Sequence, residues 1–300
     1  MSQEIELKLA LGPEGPDALR HHPLLVDVTP GIACLGNTYF DTPTGELETA
    51  RMALRLRRLD DRLLQTLKTR GDGGGGLSRR GEWEWQVPGP GLDLAGLAGL
   101  VPAALGRDVL ERLEPRFTTD FRRETRELTH QGARIELALD EGEITAGGRR
   151  VTIRELELEL KSGDPAALWS LAEALAERVA LRPSDTSKAA RGSALLAGEW
   201  QLSAADSPAA WLQRAVVALD AYADSGAGGW REAAREAFQH LASQGDADAR
   251  DDALAVAAAL DDDAWLTPPL GRRLLHLSRR LDGVSPLARS PHPSPQGWRP

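Results

Sequence analysis

Charged residues recur at two-residue spacing along the first two thirds of the chain, in types that could act together on a small polyanion. Glu4, Glu6 and Lys8 alternate with Ile5, Leu7 and Leu9, and Arg55 and Arg57 alternate with Leu54 and Leu56. Lys68 stands opposite Leu67, Arg134, Glu136 and Asp140 oppose Ile135, Leu137 and Leu139, and Glu155, Glu157 and Glu159 oppose Leu156, Leu158 and Leu160. Carboxylates bind hard divalent cations through oxygen. Lys and Arg hold phosphate oxygens, and Arg can take two at once. Both sets in one cavity would suit a metal-complexed polyphosphate.

The elements that must position these side chains are strands. Period-two alternation over 5–9, 52–58, 63–68, 82–87, 134–140 and 154–160 predicts half-buried strands, because successive side chains point to opposite faces. Each strand taken singly also fits apolar residues to the core and charges to water. Two features favour a charged interior for the set. Glu155, Glu157 and Glu159 put like charges about 7 Å apart on one strand, which is poorly stabilised without nearby cations. The other strands mix both signs and cluster arginines. Gly71 to Gly76, between two runs, reads as a mobile hairpin loop and lacks the Gly-Lys-Ser/Thr ending of a phosphate loop.

After Gly163, Asp164 as N-cap and Pro165 as first helical residue predict a helix carrying Leu168, Leu171, Leu175 and Val179. Antiparallel strands with covering helices make an α+β domain over residues 1–200. Residues 201–284 read as α-helical, with helices at 208–219, 230–242 and 251–260. The proline-rich stretch 285–300 reads as a disordered tail.

The 300 residues carry a net charge of -9, with 41% hydrophobic and 27% charged residues. An acidic balance argues against nucleic acid as partner. No apolar run is long enough to span a bilayer, so no membrane is expected. One cysteine, Cys34, and a charged opening segment lead us to expect a reducing, cytoplasmic location, with Cys34 as a small buried side chain. His21 and His22 are expected in an exposed loop, His240 and His276 on helices without ligand partners, and Trp83 and Trp85 on the outer face of their strand.

Glu4-Ile5-Glu6-Leu7-Lys8 resembles the ExExK signature of the CYTH family, the triphosphate tunnel metalloenzymes. The resemblance continues in order through Tyr39-Phe40-Asp41-Thr42-Pro43, Leu54-Arg55-Leu56-Arg57, Leu67-Lys68, Glu82, Asp120-Phe121-Arg122-Arg123-Glu124, residues 135–140, residues 155–159 and Ser187-Lys188-Ala189-Ala190-Arg191-Gly192. It spans roughly residues 1–197 and is nearest to bacterial inorganic triphosphatases, in which a CYTH domain precedes a helical CHAD domain.

The resemblance implies an eight-stranded antiparallel β-barrel tunnel, open at both ends, with a charged interior and covering helices. It implies that Glu4 and Glu6 hold the metal that activates water, and that Asp140, Glu155 and Glu157 hold a second. The ions would be Mg²⁺ or Mn²⁺. Lys8, Arg55, Arg57, Lys68, Arg123 and Lys188 would grip tripolyphosphate, with Glu4, Glu6 and Lys8 at the catalytic centre. Water would attack a terminal phosphoryl group, yielding diphosphate and phosphate. Arg122 must face away from Arg123. Glu159 is expected at the rim, Glu82 and Glu136 in the tunnel or paired with arginines, and Arg191 either on phosphate or in a structural role. Rival readings keep the fold but change the substrate to thiamine triphosphate or a nucleoside triphosphate (including adenylate cyclisation), or reduce it to a polyphosphate-binding module. The helical third is shorter than a CHAD domain. Its Arg272-Arg273, Arg279-Arg280 and His276 are a faint echo of CHAD patterns, so polyphosphate binding is not assigned to it. The oligomeric state stays open.

Overall fold

The computed structural model describes residues 2–101 and 108–281; the tail expected at 285–300 lies outside the described residues. The strands are β1 (Ser2–Leu11), β2 (Gly31–Asp41), β3 (Ala53–Leu59), β4 (Arg62–Gly74), β5 (Leu77–Val87), β6 (Glu114–His130), β7 (Ala133–Ala146), β8 (Arg149–Ser162) and β9 (Leu181–Pro183). They pair antiparallel in the order β5-β4-β3-β2-β6-β7-β8-β1, and β5 pairs back onto β1 to close an eight-stranded barrel. The short β9 adds to the end of β1 at Leu9–Leu11. All six strands read from alternation are present; β2 and β6 have no such signal.

Closure settles which face is the interior. Register sets Glu4 opposite Arg80, Lys68 opposite Glu82, Arg57 opposite Asn37, Arg123 opposite Asp140, Asp140 opposite Glu155, and Lys8 opposite Glu157. These side chains point into the barrel, and the leucines between them point out. Outside, Leu7, Leu9, Leu137, Leu139, Leu156 and Leu158 pack beneath α5 (Ala166–Leu175) through Leu168, Leu171 and Leu175. Burying a leucine side chain contributes about 2 kcal/mol, so this outer layer supplies the core that an ordinary barrel places inside. Leu54 and Leu67 are covered by Leu47 of α2 (Glu46–Thr49), Leu97 of α3 (Leu94–Ala98) and Val109 of α4 (Asp108–Glu111), and Trp85 packs there on the outer face as expected.

The expected helix after Gly163 begins one residue late, and Ala166 N–H donates to Asp164 Oδ1. A short α1 (Gly15–Arg20) ends before His22, which is buried, not exposed: its ring accepts the Leu24 N–H. Cys34, expected to be buried, is exposed on β2. The glycine run is mostly strand. β4 continues to Gly74, and only Gly75 and Gly76 make the turn, with their N–H groups donating to Asp185. A Cβ at Gly76 (φ 95°) would stand 2.8 Å from the Lys8 carbonyl oxygen, which already accepts from Ser184 N–H, so glycine is required where the turn closes on β1.

Beyond the barrel lie α6 (Lys188–Ala197), α7 (Pro208–Ser225), α8 (Gly228–Gln244), α9 (Ala247–Ala259) and α10 (Pro268–Leu281). The first lies against the inward face at one end, where its Leu195 and Leu196 pack with Phe117, Ile144, Val151 and Ile153 and partly fill that end. The last four helices share their own core around Phe238, Leu241 and Leu274. Helix α10, not among the expected helices although Leu270, Leu274, Leu277 and Leu281 fall at helical spacing, also places Leu275 in the core beneath α5. No helix among the described residues is long and apolar enough to cross a membrane.

Candidate active site

The tunnel encloses a cavity of about 460 Å³ lined by Glu4, Glu6, Lys8, Arg55, Arg57, Lys68, Arg123, Glu157 and Lys188. All nine are among the expected site residues. The other two, Asp140 and Glu155, lie just behind, fully or almost fully buried.

Asp140 on β7 and Glu155 and Glu157 on β8 bring one oxygen each to within 4.8 Å of one another. Lys188, in the first turn of α6, reaches the centre of this set, 2.7 Å from Asp140, 2.6 Å from Glu155 and 3.1 Å from Glu157. Ser187 caps α6 by accepting the Ala190 N–H, which fixes where that turn begins. Arg123 closes the set with bonds of 2.7 Å to Asp140 and 2.6 Å to Glu157. Burial alone would raise these carboxyls. Instead Lys188, Arg191 and Lys8 hold Glu155 below the ordinary range, and Lys188, Arg123 and Lys8 hold Glu157 well below it. An all-oxygen set this close fits a hard divalent cation, with the Lys188 ammonium as its cationic occupant here.

Glu4 and Glu6 form a second acidic pair. Lys68 Nζ lies 3.0 Å from Glu4, and Arg80 bridges the two carboxylates at 3.1 Å from Glu4 and 2.5 Å from Glu6. Ser78 Oγ donates to Glu6 at 3.2 Å. Arg80 and Ser78 are site residues the sequence reading missed. Their signal was parity with Glu82, two and four residues on, obscured because Arg79 and Gly81 between them are not apolar.

Arg55 and Arg57 differ from every other arginine in the tunnel. Arg57 donates to Asn37 Oδ1 at 2.9 Å and, among the described residues, meets no carboxylate. Among the described residues the one carboxylate within ion-pair distance of Arg55 is that of Glu82, at 3.9 Å; the Tyr39 phenol lies beside its guanidinium, and its buried Nε has no partner. Burial, and then the positive charges of Arg55 and Arg123, push Arg57 down to about 10. The Tyr39 phenol reports the same field: burial should raise it, yet Arg55, Lys188 and Arg57 bring it below its usual value. Lys8 likewise has no carboxylate within ion-pair distance among the described residues, although it is 6% exposed.

Other expectations resolve simply. Arg122 turns outward to Glu124. Glu82 pairs with Lys68 at 3.4 Å, while Glu136 and Glu159 sit at the rim on Lys161, at 3.3 and 2.8 Å. Arg191 is tied to Glu155, Asp224 and the Thr152 carbonyl and does not line the tunnel cavity. On α10, Arg273, Arg279 and Arg280 are paired with Asp252, Glu173 and Asp246.

The chain is 38% identical over 201 residues to an inorganic triphosphatase of Haemophilus influenzae, a match covering 64% of this chain and 54% of that protein. It thus spans about half the length of that relative. Among solved structures, a Hippeastrum protein (a candidate adenylyl cyclase described as having a dominant triphosphatase activity) aligns with TM-score 0.48 at 20% identity, covering 66% of this chain and 97% of that one. A candidate adenylate cyclase of Bacillus halodurans aligns with TM-score 0.38 at 17% identity, covering 58% and 91%. Structural likeness at this level speaks to no activity. The CYTH domain model matches residues 2–193, and the chain belongs to the CYTH family.

Proposed function

We propose that this chain is a divalent-metal-dependent triphosphatase that hydrolyses inorganic tripolyphosphate to diphosphate and phosphate. One observation carries the reading: within one tunnel cavity, under-compensated Arg55, Arg57 and Lys8 face two groups of carboxylates. Buried like charges are costly unless a ligand neutralises them, and a polyphosphate supplies the negative charge those three cations lack. A mere anion binder would have no use for five acidic side chains beside them. The 38% identity to the Haemophilus influenzae inorganic triphosphatase supports the same substrate class.

Asp140, Glu155 and Glu157 would hold one Mg²⁺ or Mn²⁺, and Glu4 and Glu6 the other. Bound there, such ions offset phosphate charge and lower the pKa of a coordinated water. Arg55, Arg57 and Lys8 bind the chain's oxygens, and Lys68, Arg123 and Lys188 complete a ring of preorganised donors. That ring stabilises the charge that spreads over the transferring phosphoryl as water forms the new P–O bond and the bridging P–O bond breaks. Exclusion of bulk water by the barrel wall strengthens each of these interactions.

A second reading has its own support. At the end beside α6 the tunnel joins a further cavity of about 680 Å³, lined by Tyr39, Phe40, Pro43, Met52 and Phe117 together with Lys8 and Lys68. An organic triphosphate could seat its base or ring there. Phosphate release from tripolyphosphate, thiamine triphosphate and ATP, with Mg²⁺ and with Mn²⁺, for wild type and Glu6→Ala, tests both. Metal-dependent release from tripolyphosphate that Glu6→Ala abolishes is expected. Faster turnover of an organic substrate would favour the second reading, and no release from any would leave a binding module.

A further inference from the structure

Helix α7 begins beyond the family-matched segment, yet two of its carboxylates reach the tunnel wall. Asp220 and Asp224 stand one turn apart on the same face of α7. Asp220 accepts from Arg182 at 2.6 Å, from Ser184 Oγ at 3.1 Å, and from the backbone N–H groups of Asp185 and Thr186 at 3.1 and 3.0 Å. These partners lie on β9 (Arg182) and on the link from β9 to α6, the helix that carries Lys188. Asp224 takes the Arg191 guanidinium in a two-bond fork, at 2.9 Å from Nε and 2.6 Å from Nη2. The Asp224 side chain is 5% exposed and that of Arg191 9%.

Arg191 connects this pair to the acidic cluster. Its Nη1 donates to Glu155 Oε1, while Lys188 Nζ takes Oε2 of the same carboxylate. A second bond from Nη2 to the Thr152 carbonyl, at 2.6 Å, fixes the plane of the guanidinium. Glu155 is thereby held by one oxygen from behind and presents the other to the cluster with Asp140 and Glu157.

We infer that Asp224 is a positioning residue for the candidate metal site, acting through Arg191 to orient Glu155 so that its second oxygen, which accepts from Lys188, faces Asp140 and Glu157 where a divalent cation would be held. The helical segment after residue 200 then completes the tunnel wall. This inference rests on the metal-dependent reading above, and deepens it by assigning a role to a residue outside the domain match. Partners that orient metal-ligating carboxylates typically change metal affinity by about 10- to 100-fold when removed.

The test is Mn²⁺ binding to the full chain, read from the free-ion EPR signal without substrate, with thermal midpoints measured alongside. Wild type should bind Mn²⁺. Asp224→Ala should weaken binding by about 10- to 100-fold, and so should the near-isosteric Asp224→Asn, which keeps the volume and one acceptor if the alanine variant folds poorly. Asp263→Ala removes the exposed partner of Arg231 on the same helical segment and should leave affinity unchanged. A folded Asp224 variant with wild-type Mn²⁺ affinity, or an equal loss in Asp263→Ala, would overturn the positioning role. If wild type itself binds no Mn²⁺, the metal-dependent reading falls and takes this inference with it.

Discussion

The Lys188 ammonium lies 2.6 Å from the Glu155 carboxylate, between buried Asp140 and Glu155 and half-buried Glu157, and stands where a divalent cation would be drawn. Each group keeps the other charged: Glu155 lies below the usual carboxylate range and Lys188 above the usual amine range. Removing one partner of a buried ion pair strands the other, at about 3–5 kcal/mol. Lys188→Met should therefore lower the thermal midpoint sharply in metal-free buffer. Added Mg²⁺ should restore more stability to the variant than it adds to wild type, since it would replace the missing charge. Melts with and without Mg²⁺ check both expectations.

Arg57 offers the opposite signature. It is repelled by Arg55 and Arg123 and, among the described residues, donates to Asn37 and meets no carboxylate, so its removal should cost little folding stability. Arg57→Leu should leave the urea midpoint unchanged or slightly raised. Turnover of tripolyphosphate should fall by about 100-fold if Arg57 stabilises the transferring phosphoryl. A large stability loss with unchanged turnover would assign Arg57 to the scaffold instead.

Asp185 gives a pH test. Burial, with Asp220 nearby, pushes its carboxyl up to about 6 although Gly75 and Gly76 N–H groups donate to it. An acid whose folded pKa exceeds its unfolded value, about 3.9, holds its proton more tightly when folded. Its contribution thus favours folding at low pH and is lost as pH rises through about 6. Asp185→Asn cannot titrate. Between pH 4.5 and 7 the urea midpoint of wild type should fall relative to that of Asp185→Asn, and parallel profiles would exclude the shift.

Gly271 tests the docking of the helical segment. A Cβ there would lie 2.2 Å from the Leu181 carbonyl oxygen, so α10 reaches β9 only because the position is glycine. Gly271→Ala should destabilise the chain by about 1–3 kcal/mol through overpacking. If the segment also supports the tunnel wall, it should weaken Mn²⁺ binding; calorimetry and EPR separate the two effects.

Much of the candidate site was legible because strand alternation is strict. Glu4, Glu6 and Lys8 must share a face, as must Arg55 and Arg57, and Glu155 and Glu157, whatever the fold around them. Where one face mixes apolar and polar residues, alternation of type disappears. β2 carries Leu35, Asn37 and Tyr39 on one face, and β6 carries Thr119, Phe121 and Arg123 on one face, so neither strand shows a signal. Arg80 stayed hidden because its neighbours Arg79 and Gly81 carry no apolar contrast, and Cys34 and His22 misled because residue type alone does not fix exposure.

The sequence by itself determined which side chains lie together on each strand, the helix after Gly163 and the helical character after residue 200. It could not say whether the charged faces meet water or one another, because a two-residue period is symmetric between the two sides of a sheet. The pairing of β5 with β1 decided that, turning separate charged faces into a single enclosed lumen. Tertiary structure also decided which cations are neutralised. Arg80, Arg123 and Lys188 fall beside carboxylates at 2.5–2.7 Å, while Arg55 reaches Glu82 only at 3.9 Å and Arg57, among the described residues, meets none, and that difference arises only from distances between residues far apart in the chain.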